Sequence, residues 1–412
     1  MRKSQTTKAI RTVVTIIIWL YVCFIALISL PPVKHKLADI AESVLSDHLD
    51  TEVQIKSIKL GWMNSITIDD MTIKDQYGDE MLEIARASAT FNLKDAINGN
   101  ISIESVQLFG IKASLHKDNP GATPNYEFAI QALSNNNAEK SSPLSLKVAS
   151  LIVRHANIKY DVNSEPLNPG KLDPDHINIK DGAITMALKY DNGKITDISI
   201  KRFNAKELNS GIELRRVTGD FSATENQANL TNTNILWNNS EIRVDSAKVN
   251  YKNWGYGDNN RWSLTCLPIH GKLALKDFGW LDSALTSAKT IIDIDAQIEG
   301  DQGKLNIDNF RIKSEKNDII ADIAAHVEKD EHGHSSFSAK IKKVQIKGNA
   351  FSEIIALPHL DSTLTATLLR LKNIDFTGQI EKTKENVNLK GYIDTECGGI
   401  DINIESDKNT II

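Results

Sequence analysis

The chain is short of cysteine, of excess charge of either sign, and of catalytic signatures. Three Cys in 412 residues are too few for a disulfide scaffold or a cysteine-rich metal site. Cys23 lies in an apolar run and follows Val22 rather than a small residue, so it reads as an embedded thiol and not as a lipid attachment point. Cys266 and Cys397 stand far apart, and the sequence leaves both the bonded and the unbonded state open. The balance of 48 Lys+Arg against 53 Asp+Glu gives −5. No basic block stands beyond the extreme N-terminus, which excludes the electrostatic footprint of a nucleic-acid binder. There is no Gly-x-Ser-x-Gly, Walker A loop, dinucleotide-binding glycine cluster or His-Glu-x-x-His, and catalysis is weakened accordingly. No catalytic, cofactor-binding or metal-binding residue is nominated, and no cofactor is expected. Asp330-Glu331-His332-Gly333-His334 comes nearest to a metal motif, but its composition suits a hairpin turn. Asp69-Asp70 fits a strand irregularity better than an acid/base pair. Trp237, Tyr251, Trp254, Tyr256 and Trp262 could stack a sugar, although aromatic rows on sheets usually pack across strands.

What is present begins with an uncharged run from Thr12 to Val33, long enough as a helix to cross a bilayer. Val13, Ile17, Trp19, Leu20, Phe24, Leu27 and Leu30 represent this predicted anchor. Arg2, Lys3, Lys8 and Arg11 precede it without an acid, which holds the N-terminus in the cytoplasm and sends the rest across. Leu30-Pro31-Pro32 offers no small-x-small cleavage site, so a retained anchor is expected over a removed signal peptide. Residues 33–49 then place Leu37, Ile40, Ala41, Val44, Leu45 and His48 at helical spacing, an amphipathic helix suited to capping the first strands or lying on a membrane surface. The expected division is 1–31 cytoplasmic tip and anchor, 32–49 amphipathic helix, and 50–412 repetitive β-sheet.

From residue 50 the pattern is short alternation bounded by Asn, Asp, Gly and Lys, and the fold class is mostly β and antiparallel. An eight-residue spacing, apolar-x-apolar-x-x-apolar-x-apolar, recurs as Val53/Ile55/Ile58/Leu60, Ile66/Ile68/Met71/Ile73, Ile101/Ile103/Val106/Leu108, Leu146/Val148/Leu151/Val153, Ile242/Val244/Ala247/Val249 and Leu305/Ile307/Phe310/Ile312. The third and fourth copies keep a constant offset of 45 (146 − 101) and go on matching beyond the motif, which is internal repetition. In a regular strand the second apolar pair would fall on the opposite face. A β-bulge at the x-x position restores the parity and strengthens the twist, and a hairpin turn there also fits the numbers. Repeated bulges curl a sheet, and a trough with an apolar inner face is the predicted form. Its inward residues are then Val53, Ile55, Ile58, Leu60, Ile101, Ile103, Val106, Leu108, Leu146, Val148, Leu151, Val153, Leu305, Ile307, Phe310 and Ile312. Polar loops are expected at 118–125, 134–143 and 164–174, and short helices from Asp277 (Phe278, Leu281, Leu285, Ala288 on one face) and near Ala350 to Ala356.

Several segments carry a family resemblance: the anchor ending in Pro-Pro, VKHKLADIAESVL, VQIKSIKLGWMNSITIDDMTIKDQYGDEML, ISIESVQLFGIKASLHKD, LDPDHINIKDGAITM and SGIELRRVTGDFSA. In their order and spacing the chain resembles the N-terminal part of TamB and the wider AsmA-like family, especially its Bacteroidetes branch. The resemblance implies an inner-membrane-anchored periplasmic protein, a long curled sheet similar to bridge-like lipid transfer proteins, and passage of phospholipid toward the outer membrane. It also implies an outer-membrane barrel partner. Chains of that family usually run far longer, whereas this sequence stops at Ile412, so an unaided span of the periplasm is not carried over. Three function classes follow: a lipid conduit that takes phospholipid acyl chains, a scaffold for outer-membrane protein assembly that adds client strands at its edges, and an enzyme. The conduit is the expectation, because nothing nominates converging polar groups for chemistry.

Overall fold

Alternation of apolar and polar residues becomes strand throughout. In the computed structural model the described residues are 15, 19, 30–61, 64–91, 101–134, 144–145, 149–191, 194–224, 226–252, 261–329, 335–348, 350, 366, 370–383, 386–407 and 410–411. The protein is mostly β and divides into two compact units, Met1–Leu167 with Asp173–Leu188, and Asn168–Leu172 with Lys189–Ile412.

The first unit opens on α1 (Pro31–Leu49). Two prolines fill its first turn, where a missing N–H costs nothing. Asp50 ends it in the left-handed region (φ 52°), with its N–H bonded to the Ser46 carbonyl. There follow β1 (Val53–Gly61), β2 (Ser65–Lys74), β3 (Glu80–Phe91), β4 (Ile101–Lys117), α2 (Glu127–Ser134), β5 (Leu144–Ser145), β6 (Ser150–Val162) and β7 (His176–Asp191). Strands β1 to β4 form an antiparallel meander, and β7 is antiparallel to β6.

The expectation of a wholly antiparallel sheet is corrected at β4, which has two parallel neighbours: β5, with Ile101 opposite Leu144, and β6, with Val106 opposite Leu151, Ala113 opposite Ile158 and Lys117 opposite Val162. Each partner in β6 is 45 residues on (151 − 106), so from Ser105 onward the repeat seen in the sequence is a spatial register, whereas at β5 the offset is 43 (144 − 101). A parallel neighbour needs a crossover of a dozen residues or more. The segment between Lys117 and Ser150, which holds α2, supplies it. That helix has only eight residues, too few to leave a periodic signal.

In the second unit β8 (Lys194–Glu207), β9 (Glu213–Ala223), β10 (Gln227–Trp237), β11 (Ser240–Lys252), β12 (Arg261–Ala274), β13 (Ile291–Asp301), β14 (Lys304–Ser314), β15 (Ile319–Lys329), β16 (Ser335–Lys347), β17 (Asn373–Lys382), β18 (Val387–Thr395), β19 (Gly398–Asp407) and β20 (Thr410–Ile411) pair in sequence order, all antiparallel. The β10–β11 turn has two residues, Asn238 and Asn239, with Asn238 at φ 41°, the positive φ that tight hairpins require. The single helix expected from Asp277 is instead two 3-10 turns, Leu275–Phe278 and Ser283–Ser287, with Leu281 60% exposed. Gly279 weakens a helix there, and Asp277 is drawn down onto the β10–β11 hairpin. Its Oδ2 accepts from Asn239 N (2.7 Å) and Ser240 Oγ (2.6 Å), and its Oδ1 from Asn239 Nδ2 (3.0 Å). Beyond Ala350, the helix expected to Ala356 lies outside the described residues.

Helix α1 packs Leu37, Ala38, Ala41, Leu45 and Leu49 onto β1 and β2. Ile40 and Val44, expected on that face, are 54% and 61% exposed. The buried stripe is rotated toward Ala38 because a small residue lets the helix approach the sheet closely. The same helix closes the edge of the sheet: Ser46 Oγ accepts the Val53 N–H at 3.0 Å and the Glu42 carboxylate accepts that of Ile55. An edge with its donors covered is protected from stray strand pairing. Among the described residues no helix is long and apolar enough to cross a membrane. Val13, Ile17, Leu20, Phe24 and Leu27 lie outside the described residues, and Trp19 and Leu30 are exposed.

Candidate functional site: an apolar sheet face

The eight-residue spacing runs inside single strands, not around hairpins, at each copy that is described in full. In β1 and β2 the two copies face each other, Ile55 opposite Met71 and Ile58 opposite Ile68, and all eight apolar side chains except Leu60 join one cluster beneath α1. In β2 and β14 the parity is restored by a residue in the left-handed region at the second x, Asp70 (φ 50°) and Asn309 (φ 53°). Left-handed residues also stand at Gly110, His155, Asp181 and Asn232. In β4 and β6 these irregularities follow Leu108 and Val153, so the spacing continues as Val106/Leu108/Ile111/Ala113 and Leu151/Val153/Ala156/Ile158. Asp and Asn tolerate this conformation better than other side chains, and Gly takes it freely. At Gly110 space also matters, because a Cβ would lie 2.8 Å from the Ala85 Cβ.

The consequence is continuity across strands. In the first unit the register links Leu60–Ile66–Ala89–Val106–Leu151–Met186, Ile58–Ile68–Ala87–Leu108–Val153–Ile184, and Val53–Ile73–Leu82–Ala113–Ile158–Ile179. In the second, one row takes a residue from each of β8 to β19: Phe203–Val217–Ile235–Ile242–Gly271–Ile294–Ile312–Ala321–Val344–Phe376–Ile393–Ile400. A second runs Leu267–Ile298–Ile307–Ala325–Ala339–Ile380–Leu389–Ile404. None of these residues carries a charge.

The opposite face is ionic. Asp69 accepts from Lys59 and from Arg86 (2.9 Å); Lys112 meets Glu83, Lys304 meets Glu328, and Lys343 meets Asp375. The Lys59 bond, against some burial and with help from Arg86, holds the Asp69 carboxyl below the usual carboxylate range. Such exposed pairs stabilise little; they mark the solvent side. At the β6–β7 turn, His176 Nδ1 lies 3.0 Å from Asp161 Oδ1 and its Nε2 2.9 Å from the Glu165 carbonyl. The Asp161 bond raises His176 above its ordinary value. Burial pushes Asp161 up, but His176 and Lys159 more than offset it, so its carboxyl sits below the usual range.

Covering is local. Beneath α1, Ile55 and Ile58 are 4% and 8% exposed; a second cluster sits where the 3-10 turns and Ala350 meet Trp237, Leu273, Ile292 and Ile319. Away from these caps the row members are half-buried apart from the buried Ala339, and at β19 Ile400 and Ile404 reach 58% and 39% exposure.

Of the predicted inward residues, Val53, Ile55, Ile58, Leu60, Val106, Leu108, Leu151, Val153, Ile307 and Ile312 belong to these rows or to the cluster beneath α1. Leu305 and Phe310 pair with Val327 and Ile323 in the same alternation, and Ile103 pairs with Phe91. The side chain of Ile101, and Leu146 and Val148 altogether, lie outside the described residues. Sequence reasoning missed the contributions of β3, β15 and β16 (Ala87, Ala89, Ala321, Ala325, Ala339), where plain alternation of small residues was the only signal. Asp330 to His334, Trp254 and Tyr256 lie outside the described residues, among which no three His, Cys, Asp or Glu are grouped to hold a metal. Cys397 is a free, exposed thiol. Fold and face together define a class: a repetitive, largely antiparallel sheet with one apolar and one ionic side. No protein-family model matches the chain, and no curated protein matches it either.

Proposed function

We propose that the chain is a lipid-conducting protein of the cell envelope, related to the TamB/AsmA-like proteins that it resembles. It holds phospholipid acyl chains against its apolar sheet face, with residues 13–30 as an inner-membrane anchor and the sheet in the periplasm. The observation that carries this reading is the run of uncharged rows through consecutive strands, half-buried wherever no described element covers them. Burying an acyl chain there is favourable by about 0.8 kcal/mol per methylene, and the absence of a charge along the row leaves no step at which desolvation opposes it. The ionic opposite face keeps the sheet soluble. An outer-membrane barrel protein as the receiving partner belongs to the same proposal.

The test is native mass spectrometry with lipid extraction on the full chain released from membranes. Co-purifying phospholipid that is lost when Leu151 or Ile307 is changed to Asp is the expected result. A folded, lipid-free protein would turn the assignment toward strand addition at sheet edges.

A further inference from the structure

Helix α1 carries an apolar stripe on each of two sides. Ala38, Ala41, Leu45 and Leu49 meet β1 and β2. On the other side Val33, Leu37, Ile40 and Val44 follow one another at steps of four, three and four residues, which keeps them on one line along the helix. Leu37 borders both stripes. Ile40 and Val44 are more than half exposed, and Lys36, Ser43 and Asp47 beside them are exposed too.

The chain sets this outer stripe close to the predicted anchor at 13–30. Leu30 is extended (φ −65°, ψ 137°) immediately before Pro31, so α1 starts afresh there and its axis need not follow the direction of the span. Ser46 bonds to Val53 and Glu42 to Ile55. Four residues back along the helix thus match two forward along β1, about 6 Å in each case. The helix therefore runs antiparallel to β1 along the first edge of the sheet, and the same step brings its Pro31 end toward the Gly61 end of the strand. A helix joined to a span at its first residue can lie flat on the surface from which the span emerges. Two aliphatic side chains would not hold a free helix on a membrane, and Lys34 and Lys36 are outnumbered by Asp39, Glu42 and Asp47, which gives no net attraction to anionic lipid. Held by the anchor, the contact is intramolecular and needs little affinity of its own.

We infer that the outer stripe of α1 seats in the headgroup–acyl boundary of the bilayer that holds the anchor, so that β1 is the strand nearest the membrane and the apolar face begins at the lipid. The inference rests on the anchor and acyl-chain reading above and adds the place where lipid enters. The experiment reconstitutes the full chain in vesicles of phosphatidylcholine and phosphatidylglycerol, with Cys23, Cys266 and Cys397 changed to Ala and a single cysteine, carrying an environment-sensitive fluorophore, in place of Ile40, Val44 or Asp39. Asp39 is exposed and lies about 100° round the helix from Ile40. Labels at positions 40 and 44 are expected to be quenched by nitroxide-bearing lipid, and the label at 39 by aqueous iodide. A second measurement keeps the native cysteines: backbone amides of residues 39–47 should exchange with deuterium about tenfold more slowly in the unmodified, vesicle-held chain than in the double variant Ile40→Asp, Val44→Asp. Iodide quenching at 40 and 44 as strong as at 39, or equal exchange in the two chains, overturns the inference, and a chain that resists alkaline carbonate extraction then leaves the anchor reading standing. Labels at 40 and 44 shielded from both quenchers also overturn it, since a protein surface, a second copy or another chain, would then cover the stripe. A chain that washes off the vesicles in carbonate removes the anchor reading and this inference with it.

Discussion

Leu151 offers the sharpest test of the apolar face. It lies opposite Val106 on one side and Met186 on the other, in a row whose six members are all uncharged. It is half-buried and outside the cluster under α1, so Leu151→Asp forfeits roughly 1 to 1.5 kcal/mol of side-chain burial, half the full value. That is a modest part of a domain's stability of roughly 5 to 15 kcal/mol, and the sheet should still form. The effect on a bound chain is larger. A carboxylate keeps its water, and if that water displaces about four methylenes at about 0.8 kcal/mol each, about 3 kcal/mol of binding is lost. A fluorescent fatty-acyl probe titrated against the full chain should then bind about a hundredfold more weakly. Leu151→Asn should fall between the two, and high salt should restore nothing, because the loss is one of dehydration and not of charge repulsion. The neighbouring Arg154 is exposed on the ionic face, so Arg154→Asp should leave the affinity within about twofold. Affinity of Leu151→Asp within threefold of the unmodified chain, with an unchanged circular dichroism spectrum, would refute the assignment of this face to acyl chains.

Other outcomes follow from individual contacts. Gly110→Ala places a Cβ 2.8 Å from that of Ala85 at a φ of 66° and should cost at least about 2 kcal/mol in urea unfolding; Asn309→Gly should be nearly neutral, whereas Asn309→Val should cost about 1 to 2 kcal/mol. Asp277→Ala strands three donors, one of them on the fully buried Ser240, and should destabilise the second unit by roughly 2 to 4 kcal/mol, with a red shift of Trp237, which packs edge-on against Phe278. His176 has a raised value when folded and Asp161 a lowered one. The histidine therefore contributes stability below its unfolded value, lost as pH rises through the folded one, and the aspartate contributes stability lost in acid. Thermal melts should show a higher midpoint at pH 6 than at pH 8, and His176→Gln should remove that difference.

The parts of the fold legible in the sequence are those where chemistry and period coincide. The spacing around Asp69-Asp70 and Asp308-Asn309 announced mid-strand irregularities because polar residues tolerant of a left-handed backbone stood where the alternation changed parity. The match between Ile101–Leu108 and Leu146–Val153 was legible as repetition. Its meaning was not, since an offset cannot tell stacked repeats from hydrogen-bonded parallel neighbours, and α2 is too short to announce a crossover. The helix expected at Asp277 failed for a tertiary reason: its carboxylate is claimed by Asn239 and Ser240, far off in sequence. In α1 the apolar positions were right in kind but the buried stripe was misplaced, because contact with β1 and β2 selects Ala38 and Leu49 over Ile40 and Val44. The alanines of β15 and β16 pass unnoticed in a hydrophobicity count, yet across the strands they join larger side chains into rows.

The meander from β8 onward has a further consequence for construction. Each strand is hydrogen-bonded only to its predecessor and successor in the chain, and no strand in that series returns to an earlier one among the described pairings. A hairpin can therefore be removed or duplicated between two turns without altering the partners of the rest, changing the track by about 4.8 Å for each strand. Length becomes a quantity that gene duplication can dial in small, folded increments, in the manner of a ruler with detachable divisions.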